Sequence, residues 1–321
     1  MKELRIGVVG IGHLGTYHLQ KYAKLTNCRI AAVADVIGER AVRAAAQYGC
    51  RAYLDHRELP DKVDAVSIAV PTSAHYETAL TFLEAGVHVL LEKPITVTLA
   101  EADALIAAAG RSGAILQVGF VERFNPAIIA LAKVINRPLF IEAHRLHPFF
   151  ERGTDVDVIL DLMIHDLDII LHFVNSPLKA IDAVGVSVLS DQVDIANVRL
   201  KFATGCVANI TASRVTGKTL QKIRFFGVDG YHAVDFSKRD LVSLSKKTSD
   251  SGKVEIFSNA VEVLQHDPLE AEIRAFVHAV RTGTPPPVTG RDGRDALELA
   301  LAISREMKKA KEDILGALHH E

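Results

Sequence analysis

Apolar residues follow two different patterns along the chain, and the change between them falls near residue 121. Before that point, short continuous apolar runs alternate with stretches in which apolar side chains recur every three or four positions. Such runs are typical of strands buried on both faces of a parallel sheet, and the stretches between them of amphipathic helices. The runs lie at Leu4–Val9, 28–34, 65–70, 87–91 and 115–118. This pattern predicts an α/β domain with a parallel sheet.

After residue 121, strand-like runs follow one another and are separated by short turns such as Ala203-Thr204-Gly205. Successive strands joined in this way are typical of an antiparallel sheet. We expect strands near 139–146, 180–189, 195–202, 206–214, 221–226 and 231–236. A further helix is predicted to begin at Asp267-Pro268, where an N-cap aspartate precedes a first-turn proline. The second part of the chain is therefore predicted to be an α+β domain with an open, largely antiparallel sheet.

A glycine-rich segment connects the first apolar run to the first helix. Gly10, Gly12 and Gly15 have the G-x-G-x-x-G spacing, which allows a tight turn, close approach of a pyrophosphate and close packing of helix on strand. Asp35 ends the second run, where a dinucleotide-binding fold places the acid that binds the adenosine ribose. Because its carboxylate would repel a 2′-phosphate, NAD is the expected cofactor rather than NADP.

These features identify the first domain, residues 1–121, as a Rossmann dinucleotide-binding domain. The second domain is placed at residues 122–321, and its last helix, about 291–315, can pack back on the Rossmann domain. Open parallel sheets bind ligands beyond the carboxyl ends of their strands. The candidate cofactor-binding residues in the loop and at these strand ends are Gly10, Gly12, His13, Leu14, Gly15, Asp35, Pro71, Thr72, Glu92, Lys93 and Gln117.

Polar residues in the segment Asp157–Phe173 gather on one side of an otherwise apolar helix. This polar stripe consists of Asp157, Asp161, His165, Asp168 and His172. Asp161 and His165 lie at its centre, four positions apart, so we expect them to be neighbours with a catalytic role. The two end residues of the stripe are expected to be structural or exposed to solvent. Asp166 is an exception, set in the middle of the apolar side.

Lys93 follows a buried strand at its carboxyl end, within the sequence Glu-Lys-Pro. It is either a surface lysine at a turn or a group that faces the nicotinamide half of the cofactor. In the second case its ammonium can hydrogen-bond a substrate hydroxyl and favour the alkoxide while His165 accepts the proton. We expect no metal, because a third ligand beside Asp161 and His165 is not visible and His144 and His147 point to opposite faces of their strand.

Composition limits the partners and the compartment. The formal net charge is −2 and no basic block is present, so neither nucleic acid nor an anionic membrane is an expected partner. No apolar stretch reaches membrane-spanning length. The three cysteines, Cys28, Cys50 and Cys206, are widely spaced and form no C-x-x-C motif. They are expected to be reduced packing residues of a cytoplasmic protein.

With these residues placed, the chain resembles the Gfo/Idh/MocA family of oxidoreductases over essentially its whole length. The motifs that carry the resemblance are Gly10–Gly15, Val70-Pro-Thr72 with His75, Glu92-Lys93-Pro94, Asp161–His165 and the segment from Asp267 to Ala302. The resemblance implies that Lys93 is the active-site lysine, His165 the acid/base and Asp161 a supporting carboxylate. It also adds His75 to the cofactor site, and it implies that the second domain binds substrate and forms a homodimer or homotetramer through its open sheet.

Two segments, Val118–Pro126 and Leu160–Asp168, are similar to family members that oxidise the 3-hydroxyl of UDP-N-acetylglucosamine for a following aminotransferase. We therefore expect an NAD-dependent dehydrogenase of a sugar or nucleotide sugar, with inositol or a simple sugar as the alternative substrate. An NAD-binding sensor or scaffold without catalysis is the alternative of another class. Candidate substrate-binding residues are Lys93, Arg123, Asn125, Arg145, Asp161 and His165; Arg123, Asn125, His144 and Arg145 are equally candidates for interdomain contacts, and the role of Asp168 stays open.

Overall fold

The computed structural model describes residues 3–149, 156–228, 230–248 and 254–318. The chain folds into two compact units. The first contains the residues up to Phe124 together with Asp267–Leu297, and the second contains Asn125–His266 together with the residues from Glu298 onward. The predicted fold class is confirmed, because the first unit holds a parallel sheet between helices and the second holds a largely antiparallel sheet.

Six strands form the parallel sheet of the first unit: β1 (Leu4–Val9), β2 (Cys28–Ala34), β3 (Arg51–Tyr53), β4 (Ala65–Ile68), β5 (His88–Glu92) and β6 (Leu116–Gly119). Their order in the sheet is β3-β2-β1-β4-β5-β6. The helices between them are α1 (His13–Tyr22), α2 (Gly38–Tyr48), α3 (His75–Glu84) and α4 (Leu99–Ser112). The strand order reverses between β1 and β4, which is the point of such a sheet where ligands bind.

Burial explains which strands the apolar pattern could predict. Val8, Val66 and Leu90 are fully buried in the central strands of the sheet, so those strands consist of continuous apolar runs. In contrast, β3 is a three-residue edge strand whose Arg51 and Ala52 are exposed. A strand of this kind carries little apolar signal, and the sequence analysis missed it.

The first unit also includes α7 (Pro268–Thr282) and the first part of α8 (Gly290–Leu318), which follow its other elements in the chain only after residues 125–266 of the second unit. Ile273 and Phe276 of α7 pack with Leu19 and Tyr22 of α1 in one apolar cluster. The prediction placed every residue after 121 in the second domain. In the structure, α7 belongs to the first compact unit. The apolar face of α7 is the physical reason, because it is buried against α1.

The second unit is built on eight strands in the order β14-β13-β12-β11-β7-β10-β9-β8, where only β7 and β10 pair in parallel. The strands are β7 (Pro138–Leu146), β8 (Leu178–Val186), β9 (Ile195–Phe202), β10 (Val207–Ser213), β11 (Leu220–Gly227), β12 (Gly230–Asp235), β13 (Asp240–Thr248) and β14 (Val254–Ser258). Its helices before the sheet meander are α5 (Pro126–Leu131) and α6 (Ile164–Val174). Both β13 and β14 were absent from the prediction.

The two faces of this second sheet differ. Ile141, Ile210 and Ile223 lie on one face and are fully buried. The other face is half-exposed and carries both ion pairs, such as Arg224–Glu142 (2.6 Å), and aromatic side chains, such as Phe140 and Phe226. Within the described part of the chain, none of the helices is both long and apolar enough to cross a membrane.

Candidate active site

The glycine-rich loop after β1 has a geometry that two of its glycines make possible. Gly10 has φ +85°, and a Cβ there would lie 2.5 Å from the carbonyl oxygen of Ala69. A Cβ on Gly15 would overlap the carbonyl oxygen of Gly10 at the start of α1. Gly12, in contrast, faces open space, since nothing lies within 4 Å of where its Cβ would be. The loop therefore packs tightly on the sheet while its outer side leaves room for a ligand.

Asp35 connects this loop to the end of β2. Its carboxylate is 8% exposed, and its two oxygens accept hydrogen bonds from the N–H groups of Ile11 (2.6 Å) and Ile37 (2.8 Å). A carboxylate oxygen can accept more than one hydrogen bond, so both oxygens keep capacity for ribose hydroxyls. Asp35 thus has a structural role in the unliganded loop as well as the chemistry expected of a ribose ligand.

A cleft of about 480 Å³ opens beside the loop. It is lined by Ile11, Gly12, His13, Thr16, Tyr17, Gln20, Arg40 and Arg43. His13 and Leu14 lie in the first turn of α1 and are both exposed. The open space at Gly12, the helix N-terminus behind it and the carboxylate of Asp35 fit the pyrophosphate and ribose of a dinucleotide.

The Glu-Lys-Pro turn at the end of β5 is held from two sides. His18 of α1 is fully buried, and its Nε2 lies 2.9 Å from Oε1 of Glu92. On the other side, the ring of His75 lies with Nδ1 2.8 Å from the Pro94 carbonyl and Nε2 3.0 Å from the Val70 carbonyl. Burial lowers the pKa of His75, and a neutral imidazole donates through only one of these nitrogens.

Two of the predicted cofactor-binding residues, His75 and Gln117, are buried in the structure. His75 is 1% exposed and joins the end of β4 to the Glu-Lys-Pro turn, so it shapes the site from behind. Gln117 is fully buried, and its Nε2 donates to the backbone carbonyl of Glu272 at 3.3 Å. Pro71 is exposed and Thr72 half-buried at the same strand end, and Lys93 is half-buried. These three side chains are accessible to a ligand, whereas His75 and Gln117 are buried and their cofactor contacts stay predictions.

The helix that carries Asp161 and His165 is not regular. A π-helical turn spans Ile159–Met163 and contains Asp161, and α6 begins at Ile164, so His165 lies in its first turn. The predicted regular α-helix is therefore interrupted at Asp161, and the expectation that Asp161 and His165 are neighbours stays a prediction. Both side chains are nevertheless partly exposed, in a helix whose other residues are mostly buried. π-helical turns occur frequently at functional sites.

The segment leading into this turn is firmly anchored. Asp157 Oδ1 accepts hydrogen bonds from the N–H groups of Ile159 (3.1 Å) and Leu160 (3.0 Å), and Ser304 Oγ donates to Oδ2 (3.2 Å). Asp157 is therefore structural, as expected. His172 is exposed. Asp168 departs from the predicted polar stripe, because it is only 1% exposed.

Three of the predicted substrate contacts already have structural partners. Arg145 is 3% exposed and binds Asp166 through two hydrogen bonds of 2.9 Å, which explains the aspartate on the apolar side of the helix. Asn125 is 2% exposed and caps α5 by accepting from the Ala127 N–H (3.1 Å). Arg123 forms an ion pair with Asp292 (3.4 Å). These contacts give Arg145 and Asn125 a role in holding the fold, and their contact with a substrate stays a prediction.

His144 lies on the half-exposed face of β7, opposite to the buried Arg145. Among the residues that the structure describes, no group of three or more His, Cys, Asp or Glu side chains could hold a metal ion. A cavity of about 610 Å³ in the second unit, bordered by the connection from Val134 to Leu139, contains none of the candidate catalytic or binding residues. The sequence analysis did not identify His18, which contacts Glu92 of the Glu-Lys-Pro turn. The two residues are 74 positions apart in the chain, so no local motif connects them.

The glycine-rich loop, the strand order and the position of Asp35 at the end of β2 are those of a dinucleotide-binding domain. Residues 4–120 match the family model "Oxidoreductase family, NAD-binding Rossmann fold", and residues 133–232 match the model "GFO/IDH/MocA C-terminal domain". The chain belongs to the Gfo/Idh/MocA family of oxidoreductases. The predicted family and the predicted cofactor, NAD, are confirmed.

Individual relatives match along nearly the whole chain. A UDP-N-acetylglucosamine 3-dehydrogenase of Acidithiobacillus ferrooxidans is 40% identical over 305 residues, which are 94% of this chain and 97% of the relative. Its solved structure superposes with a TM-score of 0.88 at 39% identity and covers 96% of this chain and 99% of that one. A myo-inositol 2-dehydrogenase of Thermotoga maritima is 29% identical over 338 residues, covering 98% of this chain and 100% of the relative.

Proposed function

We propose that this protein oxidises the 3-hydroxyl of UDP-N-acetylglucosamine, with NAD as the hydride acceptor. The observation that carries the proposal is the full-length similarity to a UDP-N-acetylglucosamine 3-dehydrogenase. The residues that such a reaction needs are also present, because Lys93, Asp161 and His165 all keep partly exposed side chains. The product would be a keto sugar, which is the kind of substrate that an aminotransferase consumes.

Lys93 and His165 would divide the proton chemistry. Oxidation of a secondary alcohol requires a hydride acceptor, which bound NAD supplies. The Lys93 ammonium would hydrogen-bond the reacting hydroxyl and favour its alkoxide, and a neutral His165 imidazole would accept the proton. Asp161 would support this chemistry by orienting the substrate or by setting the local charge. Its place in the π-helical turn supports a functional assignment.

NAD would be held mainly by the first unit. The N–H groups of the loop at Gly12 and the N-terminus of α1 would bind the pyrophosphate, and Asp35 would bind the adenosine ribose. His13 and Leu14 are exposed beside the loop and can contact the dinucleotide. Thr72 and Lys93, at the ends of neighbouring strands, would lie near the nicotinamide half.

The alternative function is oxidation of inositol or of a simple sugar. The full-length similarity to the Thermotoga maritima myo-inositol 2-dehydrogenase favours it, although the identity is lower. A sensor or scaffold that binds NAD without turnover is the alternative from another class. The retention of Lys93, Asp161 and His165 speaks against it, because binding alone requires none of the three.

We also propose that the protein works in the cytoplasm as a homodimer or homotetramer. Its three cysteines are free, which suits a reducing compartment. The half-exposed face of the second sheet carries an aromatic group in which Phe226 contacts both Phe140 and Tyr231, with ring centroids 5.5 and 5.1 Å apart. Such a group on an open sheet supports association of subunits. Analytical ultracentrifugation at several protein concentrations measures the oligomeric state directly.

The decisive experiment is a substrate panel. The protein is incubated with NAD and, in turn, UDP-N-acetylglucosamine, UDP-glucose, free N-acetylglucosamine, myo-inositol or glucose, while reduced-nicotinamide absorbance is recorded. Turnover is expected mainly with the first compound, and NMR of the product should place the new carbonyl at carbon 3. Lys93→Met should abolish most of it, and Lys201→Met, which alters an exposed lysine paired with Asp182, serves as the matched control.

Each other outcome has a stated meaning. Faster turnover with myo-inositol would replace the proposal with the inositol alternative. Oxidation at a carbon other than carbon 3 would contradict the assigned regiochemistry. No turnover with any compound, while NAD still binds, would favour the sensor.

A further inference from the structure

A completely buried carboxyl group lies behind the Glu-Lys-Pro turn. Glu272 of α7 is 0% exposed and occupies the apolar face of its helix, next to Ile273 and one turn before Phe276. Neither of its carboxyl oxygens has a hydrogen-bond partner among the described residues. Such an arrangement is rare in folded proteins and calls for a physical explanation.

The neighbours of Glu272 belong to the elements that build the cofactor domain. Gln117 of β6 donates from Nε2 to the Glu272 backbone carbonyl (3.3 Å). Glu92 at the end of β5 lies close enough for its charge to act on the Glu272 carboxyl, and it is bound to His18 of α1. β6 packs directly against Glu92, since a Cβ on Gly119 would lie 3.1 Å from Oε2 of Glu92.

Hydrogen-bonding capacity shows which protonation state fits this cluster. If His18 donates to Glu92 through Nε2, its buried Nδ1 is an acceptor. Gln117 Oε1 is a second buried acceptor. Neither atom has a hydrogen-bond partner among the described residues. An ionised Glu272 would add only further acceptors. A protonated Glu272 replaces one of these acceptors with a donor, and it avoids a second buried negative charge near Glu92.

The charged and titratable groups on the elements around Glu272 do not offer it a ready counter-ion. These groups are His18, Lys21 and Tyr22 on α1, Cys28 on β2, Glu92 on β5, and Glu122 and Arg123 on the turn after β6. Lys21 is bound to Asp267 (2.7 Å) and Arg123 to Asp292 (3.4 Å). Burial, and then the nearby Glu92 carboxylate, raise the pKa of Glu272 well above its ordinary value.

We propose that Glu272 is held as a neutral carboxylic acid and acts as a positioning residue, which fixes the charge and orientation of Glu92 and thereby of its chain neighbour Lys93. This inference rests on the role assigned to Lys93 in the proposed function. The route is short, because Glu92 and Lys93 are consecutive and the Glu92 side chain is fixed by His18. Ionisation of Glu272 would add a second negative charge near Glu92 and disturb that arrangement.

The first test measures stability and needs no substrate. Full-length wild type, Glu272→Gln and the matched control Glu270→Gln, on the same helix, are unfolded in urea between about pH 5 and pH 9. A neutral buried acid binds its proton in the folded state when the unfolded chain, with a pKa of about 4.3, has lost it. Folded stability is therefore highest at low pH and falls as pH rises towards the folded pKa.

The expected result is a difference in slope. Across that pH window, the unfolding constant of wild type should rise by up to about tenfold per pH unit relative to Glu272→Gln, which lacks the proton. Glu270→Gln should follow wild type, because Glu270 is partly exposed and paired with Arg274. Equal slopes for wild type and Glu272→Gln would overturn the neutral-acid assignment. If Glu272→Gln does not fold, Glu272→Leu provides the uncharged comparison.

The second test asks whether Lys93 senses Glu272. In protein carrying ¹³Cε-labelled lysine, the Lys93 resonance is assigned by its loss in Lys93→Met. In wild type, the chemical shift of this resonance should change in the pH range where folded Glu272 loses its proton, which is where the slope of stability against pH ends. The change should be missing in Glu272→Gln. A stability difference without the spectroscopic difference would limit Glu272 to a structural role and overturn its positioning role. If no sugar is oxidised, the proposed function is wrong. The unfolding and NMR experiments can still be interpreted in that case, because neither uses a substrate.

Discussion

The buried pair Arg145–Asp166 offers a quantitative test of how the second unit is held together. The Asp166 carboxylate on α6 is 1% exposed, and two hydrogen bonds of 2.9 Å connect it to the guanidinium of Arg145 on β7. The guanidinium also lies 4.8 Å from the ring centroid of Phe236. Arg145→Met keeps most of the volume of the side chain but leaves the carboxylate buried without its cation.

The magnitude follows from that uncompensated charge. Breaking one partner out of a buried ion pair costs about 3–5 kcal/mol, and loss of the contact with Phe236 adds to it. Lys201→Met is the matched control, because it breaks an ion pair with Asp182 whose side chains are 48% and 64% exposed in the same sheet. An exposed pair contributes about 0.2–1 kcal/mol. The double change Arg145→Met with Asp166→Leu should recover much of the loss, since both charges are then absent.

Urea unfolding followed by circular dichroism measures these differences, with the transitions of the two units fitted separately. NAD affinity should be unchanged, because the cofactor residues belong to the other unit. The reasoning would be refuted if Arg145→Met lost less than about 1 kcal/mol while KM for the sugar rose strongly. That result would restore the substrate contact that the sequence suggested for Arg145.

Three further predictions concern the cofactor and the chemistry. Asp35→Ser should reduce the preference for NAD over NADP, measured by fluorescence titration with the reduced cofactors; an unchanged ratio of affinities would contradict the ribose assignment. His165→Ala and Lys93→Met should lower turnover while NAD affinity stays nearly constant. The loss for His165→Ala should be roughly a hundred- to ten-thousand-fold. Near-normal turnover of His165→Ala would mean that another group acts as the base. Gly15→Ala should weaken NAD binding strongly because its Cβ overlaps the loop backbone; Gly110→Ala in α4, which meets nothing within 4 Å, should bind NAD normally.

The sequence predicted those parts of the fold whose cause is local. The first two strands were predicted with the bounds that the structure has, because a buried parallel strand is a continuous apolar run. The start of α7 was also predictable, since the Asp267 side chain accepts from the Glu270 N–H and Pro268 occupies the first turn. In each case the residues that determine the structure are neighbours in the chain.

The features that were not predicted depend on residues far apart in the chain or, in one case, on a local change of hydrogen bonding. The π-helical turn at Ile159–Met163 differs from an α-helix by a shift of hydrogen bonds, which leaves no mark on the composition. Asp166 was recognisable as an exception on an apolar face, and a search for a cation on a neighbouring strand could have suggested Arg145. Gln117 was predicted at a strand end but lies within β6, and its Nε2 donates to α7, 155 residues further along the chain.

The return of α7 to the first unit has a consequence for synthesis on the ribosome. When residue 124 has been made, the α1 surface around Leu19 and Tyr22 still lacks the helix that will cover it. About 160 further residues must be added before α7 is complete at Thr282, which takes roughly 10 to 30 seconds at 5–20 residues per second. During that interval the nascent cofactor domain exposes this apolar surface of α1. The last strand of the second sheet, β14, is synthesised before α7, so the second sheet can form before α7 covers α1.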